Sequence, residues 1–144
     1  MIEKTKGFKQ VLLLCSTSNI SRIQVMLEVA KANNLTPIED ILLANVLSTL
    51  PHPLPNPIND PNIYCFLPSY YYRKRNIDKF KPYIDPFKDK ISKTGKMLHG
   101  NFIMNVRVSM LQDIEKLCLK SKVLNNAVLI YSIWLRLYSA GRTI

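Results

Sequence analysis

The residues whose types and spacing best suit chemistry lie mid-chain. Tyr70-Tyr71-Tyr72 runs directly into Arg73-Lys74-Arg75. Aromatic rings offer faces on which bases stack, and the cations that follow offer phosphate contacts. Lys79, Lys81, Lys88, Lys90, Lys93 and Lys96 carry the positive charge further along the chain. Residues 73–96 hold nine positive side chains against Asp78, Asp85 and Asp89, a net of +6. A footprint of this kind tracks a nucleic-acid backbone. Tyr71, Tyr72, Arg73, Lys74, Arg75, Lys79, Lys81, Lys88, Lys90, Lys93 and Lys96 are therefore the candidate nucleic-acid-binding residues.

A second constellation opens the chain. Val11-Leu12-Leu13-Leu14 is a strand-like run that ends in Cys15, and Ser16 to Ser21 lead to Arg22 at the start of a helical pattern. This resembles the phosphate loop of low-molecular-weight protein tyrosine phosphatases, in which a strand leads to a Cys, five residues and an Arg at a helix start. The resemblance implies a thiolate nucleophile at Cys15 and a phosphate clamp at Arg22. Asp85-Pro86-Phe87 resembles the Asp-Pro-aromatic general acid of that family. The match covers about twenty residues, and it departs from the family pattern in four ways. Six residues separate Cys15 from Arg22, the loop has no glycine, Asp85 lies nearer to Cys15 than in the family, and no alternating strand-helix pattern follows that would build a parallel sheet.

Other chemistries find little material. His52 and His99 stand apart from each other and from Cys15, Cys65 and Cys118, with no H-x-x-x-H or C-x-x-C spacing. There is no G-x-S-x-G elbow, phosphate-binding glycine loop or dinucleotide fingerprint, and only four glycines from which to build one. No metal, cofactor, catalytic residue or small-molecule substrate is expected.

Composition narrows the class. Of 144 residues, 47% are hydrophobic and 21% charged, enough apolar surface to form a core and exclude wholesale disorder. Twenty Lys and Arg against ten Asp and Glu give a formal net charge of +10, which favours anionic partners. Three dispersed cysteines are not a secreted disulfide framework and suggest an intracellular, reducing compartment. Lys4, Lys6 and Lys9 near the start tip that expectation towards mitochondria. The longest apolar run, Val123 to Leu135, is shorter than the ~18 residues of a membrane span.

The elements that must position these residues read as helices. Ile23, Met26, Leu27 and Ala30 recur at helical spacing, and Asn33-Asn34 is a stop signal. Thr36-Pro37-Ile38-Glu39 has the form of a capping box, with Ile41, Leu42, Val46 and Leu47 behind it, so residues 20–50 predict a helical hairpin. Phe8 to Cys15 fits either a strand or a helix. Pro51, Pro53, Pro55, Pro57 and Pro61, then Pro82 and Pro86, predict a largely irregular stretch over 51–100. Residues 101–121 and 123–140 predict a C-terminal helix pair, with Gly141 as a cap.

The expected fold is thus mainly α: a helical part over 1–50, an extended proline-rich, basic segment over 51–100 and a helical part over 101–144, forming one structural unit. The expected function is that of a non-enzymatic, small basic structural subunit of a ribosome-like ribonucleoprotein, contacting RNA (rRNA foremost) and neighbouring protein subunits. A second reading is an accessory subunit of a membrane complex, with 123–140 in contact with the bilayer. A third is a phosphatase that uses Cys15.

Overall fold

The structure, a computed structural model, describes residues 10–121, 124 and 127–131. Its centre is a five-stranded parallel sheet, so the fold is α/β and the mainly α expectation is corrected. In chain order the elements are β1 (Gln10–Leu14), α1 (Ile20–Ala32), β2 (Thr36–Asp40), α2 (Ile41–Thr49) and β3 (Tyr64–Phe66). There follow α3 (Ser69–Tyr72), α4 (Ile77–Ile84), a 3-10 turn (Asp85–Phe87) and α5 (Lys88–Met97). The chain continues through β4 (Phe102–Val106), a second 3-10 turn (Val108–Met110), α6 (Leu111–Ser121) and β5 (Val128–Tyr131). The strand order is β3-β2-β4-β1-β5.

Both faces of this sheet are covered. Val11, Leu13 and Ile103 pack against Ile23, Met26 and Val29 of α1 and Leu43 and Leu47 of α2. Leu12, Leu14, Met104 and Val106 form a second core on the opposite face, with Ile114 and Leu117 of α6 against it. Strands buried on both faces read as continuous apolar runs without alternation, as Val11 to Leu14 and Phe102 to Val106 do. That is why Phe8 to Cys15 fits either element, and why the pattern over 101–121 predicts one helix where residues 102–106 form a strand and the helix begins at Leu111.

The predicted hairpin over 20–50 is really α1, β2 and α2. Asn19 caps α1 by accepting from the Arg22 amide, and the helix ends at Asn33, with Asn34 at φ 54° in the left-handed region. Thr36 to Glu39 then run as a strand, and the helix cap is Asp40, one residue beyond the apparent capping box. Local capping competes here with ladders on both sides of β2, and the ladders win. Pro37 is tolerated in this interior strand for a geometric reason. The amides of Thr36 and Asp40 point towards β4, to Asn101 O and the Asn105 side chain, so by strand alternation Pro37 faces the β3 side. There β3 begins only opposite Ile38, and no ladder donor is missing.

The stretch over 51–100 is not largely irregular. The longest run without helix or strand is 50–63, and it is held by Asx turns: Asn56 Oδ1 accepts from Ile58 N at 2.9 Å, and Asp60 Oδ1 accepts from Asn62 N at 2.8 Å. Beyond them β3 joins the sheet, Pro82 is accommodated inside the eight-residue α4, and Pro86 lies in the first 3-10 turn. Phe87 is 1% exposed and packs with Ile41, Ala44 and Cys65. Thr94 Oγ1 donates to Cys65 O at 2.7 Å, so α5 closes the outer edge of β3. At the C-terminal end Val128–Tyr131 is a strand, not part of a helix over 123–140. The rest of that expected helix, and Gly141, lie outside the described residues. No helix among the described residues is long and apolar enough to cross a membrane.

If the proline-rich, basic stretch belongs to the core, Phe87→Ala should cost about 3–5 kcal/mol, the usual cost of truncating a buried phenylalanine. Urea denaturation measures this. A loss below about 1 kcal/mol would mean that the stretch does not pack on the sheet.

Candidate functional site

In an open parallel sheet the carboxyl ends of the strands form a crevice where neighbouring crossovers leave in opposite directions. From β2 the chain passes through α2 outward to β3, and from β4 it passes through α6 the other way to β5. The crevice therefore lies between the ends of β2 and β4, and a polar cluster fills it. Asp40, fully buried, ends β2. Its carboxylate accepts from the amides of Leu42 (2.8 Å) and Leu43 (3.3 Å) at the start of α2. It also accepts from the Asn105 side-chain amide and from Arg107 Nε (3.3 Å) and Nη2 (3.1 Å). Asn105 returns the link by accepting from Asp40 N at 2.9 Å, so its side chain continues the ladder between β2 and β4.

Arg107 is thereby gripped on one side. Burial alone would lower its pKa, but the Asp40 charge and hydrogen bonds, with the Tyr71 hydroxyl nearby, hold it above the ordinary value. Nη1 donates to Ser109 Oγ at 3.3 Å and the Tyr71 side chain is a further hydrogen-bond partner, which leaves one of the five N–H donors for a ligand. The guanidinium faces a cavity of about 290 Å³ between the segments that follow β3 and β4. Ser69, Tyr71, Arg73, Ser109, Gln112 and Asp113 complete its wall. Asp113 Oδ1 accepts from Ser69 N at 3.1 Å, pinning one segment to the other.

The residues expected from sequence divide around this cavity. Tyr71 and Arg73 line it, while Tyr72, Lys74 and Arg75 are exposed nearby in sequence. Tyr71 packs edge-on against Phe80, ring centroids 4.9 Å apart. Lys79 lies over the Phe80 ring at 5.3 Å. Lys81, Lys88, Lys93 and Lys96 are exposed along α4 and α5. Lys90 serves the fold: it donates to Pro61 O and sits 4.8 Å above the Tyr64 ring, and desolvation lowers its pKa.

The first loop has the strand-turn-helix layout of a phosphate loop without its interior. The Ser18, Asn19 and Ile20 amides all donate within the loop, to Ser16 Oγ, Ser16 O and Ser18 O, so they do not point at a ligand. Burial, with the Asp40 charge added and Arg22 opposing, pushes the Cys15 thiol up to about 11, the wrong direction for a nucleophile. Phe87 is core and Asp85 is exposed. No group of His, Cys, Asp and Glu among the described residues could hold a metal ion.

Asp40, Asn105, Arg107 and Asp113 were not singled out from the sequence. One signal was present: Asn105 interrupts the apolar run Phe102-Ile103-Met104 with Val106 behind it. Glu39 is a further buried acid. It is 0% exposed, and neither carboxyl oxygen has a hydrogen-bond partner among the described residues. Desolvation, with the charges of Asp40 and Asp60, holds it well above its ordinary 4.5.

Comparison with protein-family models, curated proteins and solved structures finds no match to this chain. Its functional reading rests on this geometry.

Two predictions follow from the titratable groups. Glu39 keeps its proton when folded, after the unfolded chain has released its own near pH 4.5. Its contribution to stability is complete below that value and is lost as pH rises towards the folded value. Glu39→Gln should flatten the decline of stability above pH 5 by up to about 1.4 kcal/mol per pH unit, measured by denaturation across pH. Identical slopes would mean that the carboxyl is ionised and paired in the folded protein. For the thiols, Cys118 is exposed while Cys15 and Cys65 are buried and shifted upward by burial. Iodoacetamide at pH 8 should therefore alkylate Cys118 alone, counted by intact mass. Fast modification of Cys15 would restore the phosphatase reading.

Proposed function

We propose that the protein binds a phosphate-bearing ligand at the carboxyl edge of its sheet, in the cavity between Arg73 and Arg107. The observation that carries the reading is the hold on Arg107. Its guanidinium is oriented by a buried carboxylate, leaving one N–H for a ligand without further ordering cost. Ser69 and Ser109 supply hydroxyls beside it, and Arg73 supplies a second charge. Asp113 on the same wall repels a bare anion. It favours a phosphate ester whose phosphate meets the arginines while a ligand hydroxyl donates to its carboxylate. The net charge of +10 adds a field that draws anions in. This reading departs from the expectation of no small-molecule ligand.

A second reading keeps the expected role as a basic RNA-contacting subunit of a ribonucleoprotein. One observation favours it: Lys74 and Arg75 in the turn before α4, and Lys79, Lys81, Lys88, Lys93 and Lys96 on α4 and α5, are all exposed. Neighbouring protein subunits and a mitochondrial setting belong to this second proposal. A membrane-complex role gains no support from the described residues.

Titration with ribose 5-phosphate, followed by amide NMR shifts, separates the two. The first reading expects shifts at Ser69, Arg73, Ser109 and Gln112, and a loss of affinity of roughly tenfold or more in Arg73→Ala, the worth of one charge-assisted hydrogen bond. The RNA reading expects a single-stranded oligonucleotide to bind with a steep salt slope, reduced by about three in a Lys81→Ala, Lys88→Ala, Lys93→Ala triple variant. Absence of binding in the first titration overturns the cavity reading. An unchanged salt slope overturns the second.

A further inference from the structure

The phosphate cavity has a neighbour of opposite character. An apolar groove of about 430 Å³ opens between the start of α2 and the helix α4. Tyr71 lines both the groove and the phosphate cavity, so the two adjoin at that side chain. Phe80 and Tyr83 provide two more rings, and Ile41 and Ile84 fill the gaps between them. We propose that the ligand is a nucleotide, with its phosphate against Arg73 and Arg107 and its base in this aromatic groove. The inference rests on the phosphate reading above and adds the chemical class of the ligand.

Three observations choose a base over an alkyl chain. First, the groove is walled by flat rings, and Tyr83 is 57% exposed, so an aromatic face is open to stacking. Second, the groove contains a polar group suited to a base edge. Asn45 is anchored through its amide nitrogen, which donates to Ile41 O at 2.8 Å and to Tyr83 O at 3.0 Å. The anchoring fixes the side chain and leaves Oδ1 with no partner among the described residues, an acceptor for an exocyclic amine or ring N–H. Third, Lys79 stands at the wall, where its charge favours a π face and opposes burial of an alkyl chain. The sugar of a nucleotide would lie across Tyr71, with its hydroxyls on the side of Asp113.

Calorimetric titration of the whole chain with ribose 5-phosphate, with the four nucleoside monophosphates and with octyl phosphate tests this. At least one nucleotide with an exocyclic amine should bind about tenfold or more tightly than ribose 5-phosphate. Tyr83→Ala, at an exposed position that leaves the core intact, should erase most of that increment and leave ribose 5-phosphate binding unchanged. Arg73→Ala should weaken both ligands alike. Nucleotides binding no more tightly than ribose 5-phosphate would overturn the base assignment while the phosphate site stands. Octyl phosphate binding more tightly than every nucleotide would overturn it in favour of a lipid phosphate. Failure of all these ligands would remove both readings.

Discussion

A single buried carboxylate organises the carboxyl edge of this protein. Asp40 has no solvent, and it meets donors from three places at once: the first amides of α2, the side chain of Asn105 on β4, and the guanidinium of Arg107 just beyond it. A buried ion pair is costly to desolvate and adds little net stability, yet removing one partner costs about 3–5 kcal/mol because the other is left uncompensated. Its effect is therefore on arrangement. It sets where α2 begins, how far apart β2 and β4 end, and which way Arg107 points. The cavity beyond has Arg107 in its wall, held in place by this cluster.

The positive charge of the chain acquires a structural meaning from the same packing. The lysine-rich stretch is made of helices whose apolar sides are in use: Ile84, Phe87 and Ile91 join the core with Ile41 and Cys65. Thr94 and Lys90 bond to main-chain carbonyls of β3 and of the loop before it. An edge strand with free main-chain groups invites pairing with another chain, and here a helix covers it. The exposed cations are thus displayed on a fixed scaffold, at spacings set by α4 and α5.

Part of this was legible in the residues. The helix over 20–32, its stop at Asn33-Asn34 and the closeness of Tyr71 and Arg73 can all be read from local pattern. The sheet could not be, for a physical reason. Parallel strands buried on both faces carry no alternation, and β2 hides behind Thr36-Pro37-Ile38-Glu39, a pattern that in isolation starts a helix. Counting prolines failed over 64–97 because Pro82 and Pro86 sit where a short helix and a 3-10 turn lose only one donor each. The polar cluster escaped notice because Asp40, Asn105 and Arg107 are up to 67 residues apart, and only the crossover topology joins them.

The order of strands has a consequence for how the chain is made. β1 and β2 emerge first, yet they never touch: β4 lies between them, pairing Gln10 with Phe102 on one side and Thr36 with Phe102 on the other. Until roughly the first hundred residues have left the ribosome, the growing chain has a gap in the middle of its sheet. Val11, Leu13 and Ile38 then face an empty slot, and the donors and acceptors along it are unmatched. Strand insertion at the centre is a late, non-local step, the kind that slows folding and exposes nascent chains to mispairing. The keystone strand thus arrives after β1, β2 and β3, and a chain truncated before Phe102 holds a β2-β3 pair and a lone β1 with no means of joining them.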